Sequence, residues 1–127
     1  MDPALTNSSP PPSSPLYIIQ TNLQHSQTAT ASLRRALEVK PRTIALIQEP
    51  WIRSNRVCGL GNIGGKLILN THSSEKPRTC VYIPKEIPIT PLTQFCSRDP
   101  TAVRLQTEGS VPDVVLASVY KIGRAHV

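Results

Sequence analysis

Apolar and polar positions change period along this chain, and the changes mark its elements. Leu16-Tyr17-Ile18-Ile19-Gln20-Thr21-Asn22 is a β-rich run that ends on a polar group. A polar turn, Gln24-His25-Ser26-Gln27, then leads to Ala29, Leu33, Ala36 and Leu37, which fall on one apolar helix face. Ser26 or Thr28 suits the N-cap, and Pro41 stops the helix. Residues 43–51 follow as a second strand, almost continuously apolar until Gln48-Glu49-Pro50-Trp51. A strand, a helix and a strand on short connections predict a right-handed crossover between parallel neighbours. Asn22 and Glu49 then belong to the same end of one sheet.

After Trp51 the pattern becomes strands and turns. Residues 65–70 and 79–84 bracket a polar turn around Ser73-Ser74-Glu75-Lys76-Pro77 and read as an antiparallel hairpin. Phe95-Cys96, residues 101–106 and residues 113–120 read as further strands, broken by Pro100 and by Glu108-Gly109-Ser110. A βαβ start followed by antiparallel strands predicts a mixed α/β sheet, and the chain looks like one half of a sandwich. One helix cannot cover both faces of such a sheet, so apolar surface is expected to stay unpaired.

Composition narrows the reading. The 127 residues fit a single domain or part of a larger one. Residues 1–15 hold five prolines and four serines without apolar periodicity, so a disordered lead is expected there, with the domain over 16–120. There is no run of 18 apolar residues and no charged-then-apolar opening, which argues against membrane insertion and secretion. The formal charge of +6 suits an anionic partner, but Lys and Arg are scattered, as on a solvated surface. Cys58, Cys80 and Cys96 are odd in number and lack a Cys-x-x-Cys pair, which argues against zinc and for a reducing intracellular compartment.

Gly59-Leu60-Gly61-Asn62-Ile63-Gly64 spells G-x-G-x-x-G, but the dinucleotide fingerprint needs a helix next. Lys66 to Asn70 reads as a strand, and Leu60 and Leu67 occupy positions where a P-loop needs Gly and Ser or Thr. A flexible surface loop is expected. Glu49 ends an apolar strand before Pro50, where a carboxylate can face a crevice and hold Mg²⁺ with substrate phosphate oxygens. A solvated Glu is the commoner arrangement, and Asn22 alone is an ordinary turn former. His25 and His72 have no second ligand at metal spacing and read as solvated loop histidines. Trp51 reads as packing beside Pro50, more than as a stacking platform.

Taken together, Gln20-Thr21-Asn22-Leu23-Gln24-His25-Ser26, Leu46-Ile47-Gln48-Glu49-Pro50-Trp51, Phe95-Cys96-Ser97-Arg98-Asp99 and Val115-Leu116-Ala117-Ser118-Val119-Tyr120 carry a family likeness. They resemble, in order over residues 16–120, the amino-terminal part of the endonuclease domain of arthropod non-LTR retrotransposon polyproteins. Those domains belong to the endonuclease/exonuclease/phosphatase superfamily, a four-layer α/β sandwich. The resemblance implies a DNA endonuclease that nicks target DNA in the nucleus so that a reverse transcriptase can prime from the 3′ hydroxyl. It implies Mg²⁺ as cofactor, with Glu49 as metal-binding glutamate, Asn22 supporting metal and scissile phosphate, and Tyr120 beside the phosphate. Target DNA is the implied partner, and element RNA is reached only through the reverse transcriptase.

Members of that family continue with an Asp-x-Asn motif and a Ser-Asp-His motif, which supply the water-orienting carboxylate, a second asparagine and a histidine. This chain contains neither motif. Activity far below that of a complete domain is expected, since each missing acid–base role costs on the order of 10²–10⁴-fold. Written as codons, Ile122-Gly123-Arg124-Ala125-His126-Val127 matches a common sequencing adapter, so residues 121–127 are expected to be non-native read-through. Two rival functions stay open: a phosphoesterase of the same superfamily on a small phosphorylated substrate, and a non-catalytic nucleic-acid-binding module.

Overall fold

Local signals begin the fold and burial on two faces completes it. The computed structural model describes residues 15–70, 76–107 and 111–120. The expectations for the Pro/Ser-rich lead, for His72 and for the tail fall outside them.

Strand β1 (Tyr17–Asn22) pairs in parallel with β2 (Thr43–Gln48), with Asn22 opposite Gln48. Between them runs α1 (Gln27–Val39), capped by Ser26, whose hydroxyl accepts from the Ala29 N–H. Replacing such a cap by Ala costs about 1 kcal/mol. The buried stripe is Thr30, Leu33 and Leu37, with Ala29 half-buried beside it. Ala36, expected on that stripe, is exposed. Thr30 takes the buried place because its hydroxyl donates to the Ser26 carbonyl at 2.6 Å and so enters without an unpaired polar atom.

Beyond β2, a two-residue hairpin of β3 (Ile52–Arg53) and β4 (Arg56–Val57) turns through Ser54 and Asn55, both at positive φ (52° and 63°). That is the backbone a tight hairpin turn requires. Strands β5 (Gly65–Ile68) and β6 (Thr79–Pro84) form the expected antiparallel pair, and β6 also pairs with β2. The sheet order is therefore β1-β2-β6-β5.

Alternation explains why β2 and β6 are apolar throughout. Ala45, Ile47, Cys80 and Tyr82 face α1 and pack with Leu33, Leu37 and Leu60. Ile44, Leu46, Val81 and Ile83 face the opposite way, against Val103 and Leu105 of a second sheet. That sheet has the order β7-β8-β9, from β7 (Ile89–Pro91), β8 (Pro100–Leu105) and β9 (Val114–Val119). Each fully buried Ile, Leu or Val on either face is worth about 1.5–3 kcal/mol. A central strand covered twice has no polar face to keep.

Several expectations change here. The central sheet does not lie bare: α1 covers one face and the second sheet the other. The uncovered apolar surface is instead the outer side of the second sheet, where Phe95, Val115 and Val119 are more than half exposed. Phe95-Cys96 is not a strand. Thr93–Phe95 forms a single 3₁₀ turn, and the Cys96 thiol donates to the carbonyls of Leu92 and Ala102. Pro100 does not break a strand but opens β8, a position where no ladder N–H is needed. The second strand ends at Gln48 rather than Trp51, because Glu49 leaves the extended region. The glycine segment is a loop followed by a strand, as expected. It is nonetheless pinned, since Leu60 is buried and Arg34 Nη1 donates to the carbonyls of Gly59 (3.1 Å) and Gly61 (2.7 Å).

Candidate active site

The parallel pairing of β1 with β2 sends both chains out of the sheet at the same edge, and the residues just past the hydrogen-bonded ladder meet there. Asn22 Nδ2 donates to Glu49 Oε2 at 2.9 Å. Asn22 Oδ1 accepts from the Gln24 N–H at 2.8 Å, an Asx turn that fixes which end of the amide faces the carboxylate. The two side chains singled out in the sequence are therefore in direct contact.

Glu49 adopts φ 51°, in the left-handed region, where a residue with a side chain pays about 1–2 kcal/mol. Its surroundings over-determine that geometry. The Glu49 N–H donates to the Arg78 carbonyl (2.8 Å), and the Glu49 carbonyl accepts from the His25 N–H (2.9 Å). Gln24 and His25 are left-handed too, at φ 52° and 55°. Strain of this kind collects where the backbone must aim a side chain. The Glu49 side chain remains 23% exposed, open enough to reach a ligand.

His25 sits in the turn after β1 with its side chain 59% exposed, as a solvated loop residue should, and it also reaches this cluster. Its Nε2 stands 3.5 Å from Glu49 Oε1, and its Nδ1 is 3.1 Å from the Pro50 carbonyl. The adjoining Leu23 is buried and anchors the turn in the core. No spacing in the sequence signals this contact, because the partner lies on the next strand.

Tyr120, the third expected site residue, follows β9 and is reached through Arg78. The Arg78 guanidinium lies over the Tyr120 ring, 4.8 Å from its centroid, and its Nη1 is 3.7 Å from Asp99 Oδ1. The Tyr120 N–H donates to the Asp99 carbonyl (2.9 Å), and the Arg78 N–H donates to the Arg98 carbonyl (2.7 Å). Tyr120 makes no side-chain hydrogen bond to Asn22 or Glu49. Arg78 was not singled out as a site residue, yet it touches both halves of the cluster: the Glu49 backbone and the Tyr120 ring.

The donor set suits a hard divalent cation. Among the described residues no group of three or more His, Cys, Asp or Glu side chains gathers to hold a metal. Mg²⁺ needs no such cage, since it is held by one or two carboxylates with waters and phosphate oxygens. A half-open carboxylate oriented by an amide fits that requirement.

A helix on one side of a mixed sheet, a second sheet on the other, and polar strand ends gathered at one edge define a mixed α/β fold. The endonuclease domain of TRAS1, a telomere-specific non-LTR retrotransposon, is similar to it, with a TM-score of 0.66 and 22% sequence identity. The match covers 85% of this chain and 45% of that one, so this chain spans less than half the length of the structure it resembles. No family model and no curated protein matches the sequence.

Proposed function

We propose that this chain is the amino-terminal part of a retrotransposon-type, Mg²⁺-dependent DNA endonuclease that nicks target DNA to prime reverse transcription. The observation that carries the reading is the Asn22–Glu49 hydrogen bond at the carboxyl edge of a parallel strand pair, on a backbone strained to hold it. The fold likeness to a retrotransposon endonuclease domain supports it.

In this reading Glu49 holds the cation, and Asn22 keeps the carboxylate turned toward it while leaving its own amide beside the phosphate. When bound, the cation neutralises charge that builds on the phosphoryl and leaving oxygens. Tyr120, just past β9 and held by the Asp99 backbone and the Arg78 stack, would offer its hydroxyl to the phosphate. Arg78 adds a fixed positive charge at the rim, suited to a neighbouring phosphate. The chain has no residue for the remaining acid–base work at the positions where the resemblance puts it, so cutting by this chain alone falls to background. The working enzyme would act in the nucleus.

The test joins residues 1–120 to the carboxyl-terminal half of the TRAS1 endonuclease domain and follows nicking of supercoiled plasmid. The expected result is Mg²⁺-dependent nicking by a folded chimera, abolished by Glu49→Gln, and none from the 127-residue chain. Nicking by a folded chimera that ignores Glu49→Gln would overturn the assignment. Duplex binding by the chain that is indifferent to both Mg²⁺ and Glu49 would favour a non-catalytic binding module.

A further inference from the structure

His25 is 59% exposed, yet each of its ring nitrogens lies beside an oxygen of the Glu49-Pro50 segment. The Pro50 carbonyl can only accept, so the nitrogen 3.1 Å from it, Nδ1, is the one that carries hydrogen. In the neutral ring this leaves Nε2 with a bare lone pair, and Glu49 Oε1 lies 3.5 Å from that nitrogen. Two acceptors this close are reconciled by a donor hydrogen or by a cation shared between them.

The geometry can accommodate a shared cation. Metal-binding histidines almost always donate their second ring N–H to a carboxylate, a backbone carbonyl or water, which sets tautomer and ring orientation. His25 has that arrangement in place. Two ligand atoms about 2.1 Å from one ion stand about 3.0–3.5 Å apart for angles between a right angle and the tetrahedral angle. The separation of Nε2 from Oε1 lies at the upper end of that span, while a hydrogen-bonded ion pair is about 2.7–2.9 Å. The other Glu49 oxygen is engaged by Asn22, which leaves Oε1 as the oxygen directed at Nε2. The backbone supports the same pose, since the His25 N–H donates to the Glu49 carbonyl and both residues are left-handed.

We infer that His25 is a second protein ligand, through Nε2, for the divalent cation held by Glu49, an inference that rests on the metal reading above. The site is then one imidazole and one carboxylate, with its other positions open to water and phosphate oxygens. Mn²⁺ can stand in for Mg²⁺ at such a site, because both take carboxylate and water oxygens.

The test loads the full 127-residue chain with Mn²⁺ and records electron spin-echo envelope modulation, which reads nitrogen bound directly to the ion. The chain has three histidines, so a His72→Gln, His126→Gln double variant isolates the one in question. Nitrogen modulation in both the native chain and that double variant, lost in His25→Gln, is the expected result. Glu49-dependent Mn²⁺ binding without nitrogen modulation in the native chain overturns the His25 inference and leaves the metal reading standing. Modulation that disappears in the double variant also overturns it, because the nitrogen then belongs to another histidine. If Mn²⁺ binding is insensitive to Glu49→Gln in a folded variant, both readings fail together.

Discussion

Ser118 Oγ donates to the Ile47 carbonyl at 2.7 Å, a buried hydrogen bond that joins the second sheet to the central one just before Glu49. It sets the height of β9 against β2, and with it the position of Tyr120 relative to the carboxylate. Ser118→Ala should lower stability by about 0.5–1.5 kcal/mol, read as an earlier urea midpoint with an unchanged slope.

Arg78 stands between the two halves of the site, stacked on Tyr120 and bonded through its backbone to Glu49. If it meets a DNA phosphate, Arg78→Gln should weaken duplex binding uniformly across sequences. The slope of log affinity against log salt should shrink by about 0.9, the contribution of one phosphate contact. Fluorescence anisotropy on a labelled duplex over a salt series measures it. A variant that was only less folded would bind more weakly with its slope intact.

Gly65 opens β5 directly against β6. A Cβ there would overlap the Tyr82 ring and hydroxyl and the Ile83 carbonyl, and the backbone carbonyl cannot swing aside. Gly65→Ala should cost about 1–3 kcal/mol by overpacking, seen in a denaturant melt.

Cys80 lies wholly inside the core facing α1, and burial pushes its thiol up from 9.0 to about 12. Below pH 9 the thiol is protonated whether the chain is folded or not, and this contribution to stability is fully present. Above pH 9 the unfolded thiol releases its proton while the folded one keeps it, so stability falls toward pH 12. The slope is at most about 1.4 kcal/mol per pH unit from this group. Tyr82 is also raised by burial and adds to the alkaline loss. Urea melts from pH 8 to 11 should show the decline, with Cys80→Ala flattening part of it.

The outer side of the second sheet carries a cavity of about 580 Å³ lined by Leu92, Phe95, Pro100, Ala102, Val115 and Ala117 among others. Beside it Val119 is 52% exposed. An apolar face of this kind drives self-association. Val115→Lys, on that face and 58% exposed in the native chain, should reduce aggregation in light scattering with little change in the melting midpoint.

The first half of the fold was plain in the sequence for a physical reason. The period changes from strand to helix and back within a short stretch, with Ser26 and Pro41 as punctuation, and parallel pairing then forces Asn22 and Glu49 to one edge. The apolar runs of β2 and β6 also implied burial on both faces, a signal that the single helix obscured. Phe95-Cys96 misled because a phenylalanine and a cysteine look strand-like, while the chain there closes a 3₁₀ turn through Phe95 N–H to the Leu92 carbonyl (2.8 Å) and Cys96 N–H to the Thr93 carbonyl (3.1 Å). His25 and Arg78 were illegible as site residues. Each gains its meaning from a partner on another strand, and nothing local in the sequence indicates that partner.

Glu49 sits on a backbone that glycine would occupy with less strain. The exchange that most relaxes this corner of the molecule is therefore the one that deletes its carboxylate. Under the proposed function, selecting variants by melting temperature would enrich for proteins that no longer hold the cation, and the robust ones should be the first to be suspected of it.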